Sequence, residues 1–180
     1  THYEADVDAA TLTARGSIRV PSFVQEGWVS PSGSHVYLTT SNRGPGLKAD
    51  INHVTAYRMD PATGSLAIDG APKVIPYRAV NVCTDPAGRY AINAHNLPSS
   101  GLTIHAINSD GTLGETVVQP AGLVFGPYPH QVRVAPSGRT LVVADRGNKA
   151  EHGKPEDPGA LRAFTFKNGM LSQPQVVAPN

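Results

Sequence analysis

Cysteine is almost absent from this sequence, and so is any large excess of charge of one sign. The one cysteine, Cys83, excludes an internal disulfide framework and a metal site built from several cysteines. We interpret it as a small buried side chain on a strand. The formal net charge of +1 gives the chain no strongly basic or acidic field. We therefore expect neither nucleic acid nor a membrane as a partner, and favour a small molecule or another protein.

Long hydrophobic runs are lacking as well. No run approaches the roughly 20 apolar residues of a membrane-spanning helix, and the first residues do not show the apolar core of a secretion signal. We therefore expect a cytoplasmic location. Glycine and proline, in contrast, are abundant, with 18 and 16 residues among 180, and only 16% of the residues are charged. This composition is typical of a turn-rich all-β protein.

One unit recurs three times along the chain: an alternating strand, a turn that begins with proline and ends with glycine, and a second apolar strand. The turn prolines are Pro31, Pro86 and Pro136, which lie 55 and 50 residues apart. Each unit continues with two more strands around a second glycine-containing turn, and residues 1–22 match only this second half. Four short strands per repeat of about 50 residues predict the blades of a β-propeller.

The repeat divides the chain into a half blade over 1–22 and full blades over 23–75, 76–125 and 126–180. Three and a half blades are fewer than a closed ring needs, since propellers have about four to eight. We therefore expect either a longer polypeptide, with a C-terminal half outside this sequence, or a second chain to complete the ring.

The connections between strands predict which end of the propeller is functional. Those within each strand pair are short turns, whereas the others are long and irregular: 41–52, 72–78, 95–101, 120–128 and 146–159. Consecutive connections in a meander alternate between the two ends, so the long ones lie together, at the end where each first strand begins. Long loops on a rigid scaffold are a common place for binding and catalysis.

Three segments, 57–66, 108–114 and 130–145, give the chain a family resemblance. These segments read YRMDPATGSL, NSDGTLG and HQVRVAPSGRTLVVAD. Through them the chain resembles the β-propeller lactonases, which include propeller-type 6-phosphogluconolactonases and 3-carboxy-cis,cis-muconate cyclases. The resemblance implies a seven-bladed ring and chemistry without metal or cofactor on a lactone or its open-chain acid. It also implies a catalytic role for His130, with the family's arginine and glutamate partners expected in a blade after Asn180.

Lactone chemistry needs a group that moves a proton and a donor that holds a carboxylate. His130, at the start of a first strand, is our predicted acid/base; the alternative is a histidine that only bonds to a carbonyl. Strand alternation predicts that His130 shares a face with Val132, opposite Arg133, for which we expect an ion pair between blades. Glu26 is a second catalytic candidate, with a rim ion pair as its alternative.

Four further residues at this end are predicted to bind substrate: Gln25, Arg78, Asp145 and Arg146. No metal site is expected, because the spacings of histidine and carboxylate residues match no tetrahedral or calcium-loop pattern. His35, His95 and His105 are predicted at the surface. The leading hypothesis is hydrolysis of a sugar lactone such as 6-phosphogluconolactone. A muconate-type cycloisomerase, a non-catalytic ligand- or protein-binding propeller and a metal-dependent gluconolactonase-like propeller remain alternatives.

Overall fold

The computed structural model describes residues 1–44, 49–97, 99–150, 153 and 155–179. All regular structure in these ranges is β-strand, so the predicted all-β class is confirmed. Accordingly, the described part of the chain has no helix that could cross a membrane.

The strands form four antiparallel sheets in the described residues, three of them built on a meander of four consecutive strands. A hairpin comes first: β1 (His2–Asp6) and β2 (Thr11–Gly16). The first large sheet contains β3 (Phe23–Val29), β4 (His35–Ser41), β5 (Asn52–Met59) and β6 (Leu66–Ile68), with β7 (Lys73–Val74) also paired to β5. The second contains β8 (Arg78–Thr84), β9 (Tyr90–Leu97), β10 (Gly101–Ile107) and β11 (Leu113–Thr116). The third contains β12 (Pro129–Val134), β13 (Thr140–Asp145), β14 (Ala160–Lys167) and β15 (Met170–Pro179).

The turn between the first two strands has the same form in each large sheet. After the proline, Gly33, Gly88 and Gly138 have φ angles of 73°, 67° and 67°, in the left-handed region that glycine adopts without strain. The glycine amide bonds to the carbonyl three residues earlier at 2.9, 2.9 and 2.8 Å. This turn lets each first strand reverse directly into the second.

The core consists of two apolar clusters, each between neighbouring large sheets. Val54, Val82 and Ile75 belong to the cluster between the first and second sheets. Cys83 and Phe164 belong to the one between the second and third. The prediction for Cys83 is confirmed, because it is fully buried, and burial raises the pKa of its thiol to about 11. No large sheet covers its own apolar faces, as expected for propeller blades.

The surface prediction for His35, His95 and His105 is wrong, because their exposed fractions are only 5%, 4% and 1%. For His35, the reason is the neighbouring sheet: Gly111, in the turn before β11, lies so close that a Cβ there would overlap the imidazole ring. Gly169 covers Tyr90 in the same way one sheet later. Packing between sheets therefore buries the ring of His35, whereas the ring of His95 lies against Tyr77, Gly101 and Thr103 of its own unit.

Candidate functional site

The first strand of each large sheet has a β-bulge near its start. The pairing with the second strand skips Gln25 in β3, Val80 in β8 and His130 in β12. Each of these residues lies six positions before the turn proline of its unit. Bulges redirect side chains and are frequent beside active sites. The structure therefore gives His130 a distinctive backbone position that recurs in every large sheet.

The bulge changes how the side chains of β12 are arranged. Alternation predicted that His130 shares a face with Val132, but the register is interrupted between Pro129 and Gln131. His130 and Gln131 are both exposed, whereas Val132 is fully buried. The predicted shared face is wrong, because period-two alternation does not continue through a bulge.

Arg133 connects three sheets. Its Nη1 donates to Asn81 Oδ1 at 2.9 Å and to the carbonyl of Val132 at 2.7 Å. Its guanidinium carbon lies 4.3 Å from the centre of the Trp28 ring, a cation–π contact. Arg133 thus lies between blades as predicted, but these contacts are with an amide, a carbonyl and an indole instead of the expected carboxylate.

Arg78 and Gln25, both predicted to bind substrate, are in direct contact. Arg78 Nε donates to Gln25 Oε1 at 2.7 Å, which joins the second sheet to the first. The Gln25 amide nitrogen donates in turn to the carbonyl of Phe23 at 3.1 Å, and this bond fixes the orientation of its oxygen. The bulge at Gln25 therefore places an acceptor where Arg78 reaches it.

The charge of Arg78 is not balanced by an ion pair among the described residues. Its side chain is half-buried, and burial lowers the pKa of the guanidinium, which nevertheless stays charged at any physiological pH. A partly desolvated cation beside a neutral amide favours an anionic ligand, because an anion would compensate its charge.

Tyr77 and His95 support the strand that carries Arg78. The Tyr77 ring packs edge-on against the His95 ring, with centres 5.3 Å apart. His95 Nε2 lies 3.0 Å from Thr103 Oγ1, and burial lowers the pKa of the imidazole. Sequence reasoning missed this cluster. The available signal was the position of His95, nine residues after the turn proline, where the third unit has Asp145.

Asp145 holds the backbone around the start of β12. Its side chain is fully buried, and Oδ1 accepts hydrogen bonds from the amides of Tyr128 at 3.0 Å and Gly147 at 3.2 Å. Oδ2 lies 3.4 Å from Arg162 Nη2. With both oxygens occupied inside the protein, Asp145 is better suited to position the chain that leads to His130 than to contact substrate.

Arg146 and Glu26 occupy the rim near the bulges. Arg146 is exposed, and its guanidinium carbon lies 4.8 Å from the centre of the Tyr128 ring. Glu26 is partly buried, and its Oε1 accepts the amide of Gly27 at 3.0 Å. Among the described contacts, neither residue touches His130. In the same part of the chain, no group of three or more histidine, cysteine or acidic residues is arranged to hold a metal ion.

The sheets, their packing and the repeated bulge define a β-propeller protein. Residues 2–150 match the family model described as Lactonase, 7-bladed beta-propeller. The match covers most of the chain, which therefore belongs to the seven-bladed β-propeller lactonase family. None of the curated protein sequences matches it.

Solved structures share the fold at low sequence identity. A Bacteroides uniformis protein, provisionally assigned as a 6-phosphogluconolactonase, is 23% identical with a TM-score of 0.71, over 98% of this chain and 48% of that one. The periplasmic gluconolactonase of Pseudomonas aeruginosa is 18% identical with a TM-score of 0.63, over 98% and 64%. Hydrazine synthase of Kuenenia stuttgartiensis is 14% identical with a TM-score of 0.62, over 98% and 43%.

These likenesses establish the fold alone, and the hydrazine synthase among them shows that it accommodates unrelated chemistry. The chain spans about half the length of the Bacteroides structure, 48%. Any specific activity must therefore be argued from the residues of the site.

Proposed function

We propose that the protein is a metal-independent lactonase that hydrolyses a sugar lactone such as 6-phosphogluconolactone. One observation carries the proposal: Arg78, half-buried and without an ion-pair partner among the described residues, lies at the start of one first strand, and His130 lies on the bulge at the start of the next. The strands are neighbours, because β8 packs against β12 and the amide of Val132 donates to Asn81 Oδ1 at 3.0 Å. The packing of these two strands supports a site in which Arg78 binds an anion and His130 transfers a proton.

In the proposed reaction, the His130 imidazole takes a proton from water as the water oxygen adds to the lactone carbonyl carbon. The bond from that carbon to the ring oxygen then breaks, and the proton is returned to the ring oxygen. The product is the open-chain hydroxy acid. A histidine suits this exchange, because its ordinary pKa lies close to neutrality.

Arg78 would bind the phosphate or carboxylate of the substrate. The guanidinium uses one of its five N–H donors on Gln25, and its planar shape suits two-point binding of such groups. Arg146 would add a second positive charge at the rim, where it stacks on Tyr128. Two arginines favour a phosphorylated lactone over a neutral one.

The test compares two substrates with the purified protein. We expect hydrolysis of 6-phosphogluconolactone above its spontaneous rate, no cyclisation of 3-carboxy-cis,cis-muconate, and full activity after treatment with a chelator. Turnover of the muconate alone would contradict the lactonase proposal and indicate a cycloisomerase. Loss of activity with the chelator would contradict metal independence, and no turnover of either substrate would leave a binding propeller.

A further inference from the structure

A separate cleft lies at the opposite end of the propeller, where the short turns of the second and third sheets meet. Its volume is about 450 Å³, and it is open to solvent. Pro86, Pro136 and Phe166 contribute to its walls, and three basic residues line it: Arg89, Arg139 and Lys167.

The cleft has an excess of positive charge. Its carboxylate belongs to Asp85, whose fully buried side chain accepts the amide of Tyr90 at 2.9 Å and lies 3.4 Å from Arg89 Nε. Arg139 and Lys167 are exposed, and neither forms an ion pair with any residue that the structure describes. Three cations and one carboxylate leave an excess of two positive charges among the residues that line the cleft.

The repeat shows that the fold does not require a cation at the positions of Arg89 and Lys167. In the corresponding turns between the first and second sheets, Arg89 takes the position of Arg139, but Ser34 takes that of Arg89 and Asn108 that of Lys167. Asp110 lies two residues after Asn108, so the equivalent location also has an acidic group. Because the proline–glycine turn has the same backbone form in all three large sheets, the form of this turn does not itself require an arginine after the glycine.

We propose that this cleft binds a small polyanion with phosphate or carboxylate groups. Its volume lies within the roughly 300–1,000 Å³ of small-molecule sites. Arginine offers planar donor pairs to such groups and lysine a compact charge. The turns that hold the three cations are anchored by backbone bonds, including Gly138 N to Ala135 O at 2.8 Å and Phe166 N to Arg139 O at 2.8 Å. The bound anion would neutralise the excess of two positive charges.

Calorimetric titration with inorganic pyrophosphate and with citrate tests the proposal. We expect saturable one-to-one binding that weakens as salt rises above about 150 mM, because salt screens exposed charges. The tighter of the two probes identifies phosphate or carboxylate as the preferred group. In the double variant Arg139→Ser/Lys167→Ser, affinity should fall at least about tenfold, since two of the three cations that would bind the anion are removed.

Arg19→Ser is the matched control, because Arg19 is an exposed cation outside the cleft. This variant should bind both probes with wild-type affinity. Both replaced cleft residues are exposed, and thermal unfolding checks that the double variant is folded. Lactone turnover in the double variant should be unchanged, since the cleft is at the other end from His130. Absence of binding to both probes, or equal affinity in the double variant and the wild type, would overturn the proposal.

Discussion

Mild acid should weaken the fold through His105. Its side chain is 1% exposed, and its Nδ1 has no hydrogen-bond partner among the described residues. Burial, assisted by the charge of Lys73 and opposed by Glu115, lowers the pKa of the imidazole to about 4. In the unfolded chain the pKa returns to about 6.5. The folded protein therefore holds this ring neutral at a pH where the unfolded chain protonates it.

The sign of the effect follows from proton uptake. Between about pH 6.5 and pH 4 the unfolded state binds more protons at this site, so the free energy of unfolding falls as the pH falls. Well above pH 6.5 the ring is neutral in both states, so His105 does not lower the free energy of unfolding there. The loss develops as the pH falls through this window. At pH 5 the loss from His105 is about 2 kcal/mol, a large share of the roughly 5–15 kcal/mol that stabilise a typical domain.

Urea unfolding at about pH 7.5 and pH 5 measures the effect. The loss of unfolding free energy between the two pH values should be about 2 kcal/mol smaller in His105→Gln than in the wild type. His95, whose pKa burial also lowers, contributes in the same direction, so the variant should keep part of the pH dependence. Ile104→Val is the control, because Ile104 is fully buried next to His105 in the sequence, and the loss of one methyl group should destabilise equally at both pH values. An unchanged pH dependence in His105→Gln would refute the reasoning.

Two further predictions test the contacts between sheets and the anion site. Gly111→Ala should lower the free energy of unfolding by at least about 1 kcal/mol more than Gly64→Ala does. Both glycines have positive φ, but only at Gly111 would the new methyl group overlap a ring, that of His35. Chemical denaturation compares them, and equal losses would contradict the packing role. Arg78→Lys keeps the charge but loses the planar donor that bonds to Gln25. Steady-state kinetics should show KM for the phosphorylated lactone rising about tenfold with a smaller change in kcat, and an unchanged KM would remove Arg78 from substrate binding.

The repeat made the architecture predictable. Proline and glycine at fixed spacing determine the turn after each first strand, and alternation determines the strands on both sides, so the sheets follow from local rules. Burial of His35 and His105 was not predictable in this way. Neither residue differs locally from an exposed strand histidine, and Gly111 of the neighbouring sheet covers His35 only once the units pack together.

Candidate site residues could be selected from the sequence, but their arrangement could not be predicted. His130, Arg78 and Gln25 are conspicuous by residue type at the long-loop end. The contact between Arg78 and Gln25 depends on the register of β3. No simple periodicity of the sequence predicts that register. Asp145 was predicted to bind substrate, but its side chain accepts hydrogen bonds from the amides of Tyr128 and Gly147. A carboxylate at a strand end can therefore hold the backbone instead of a ligand.

Turnover of 6-phosphogluconolactone by His130→Gln tests the central claim most directly. Gln131→Ala provides the control, because Gln131 is exposed beside the bulge and has no assigned role. Our account predicts that His130→Gln retains the wild-type thermal unfolding midpoint and loses about 10²–10⁴-fold in kcat, the usual contribution of a general acid or base. It also predicts near wild-type kcat in Gln131→Ala. Wild-type kcat in a folded His130→Gln protein would contradict the account.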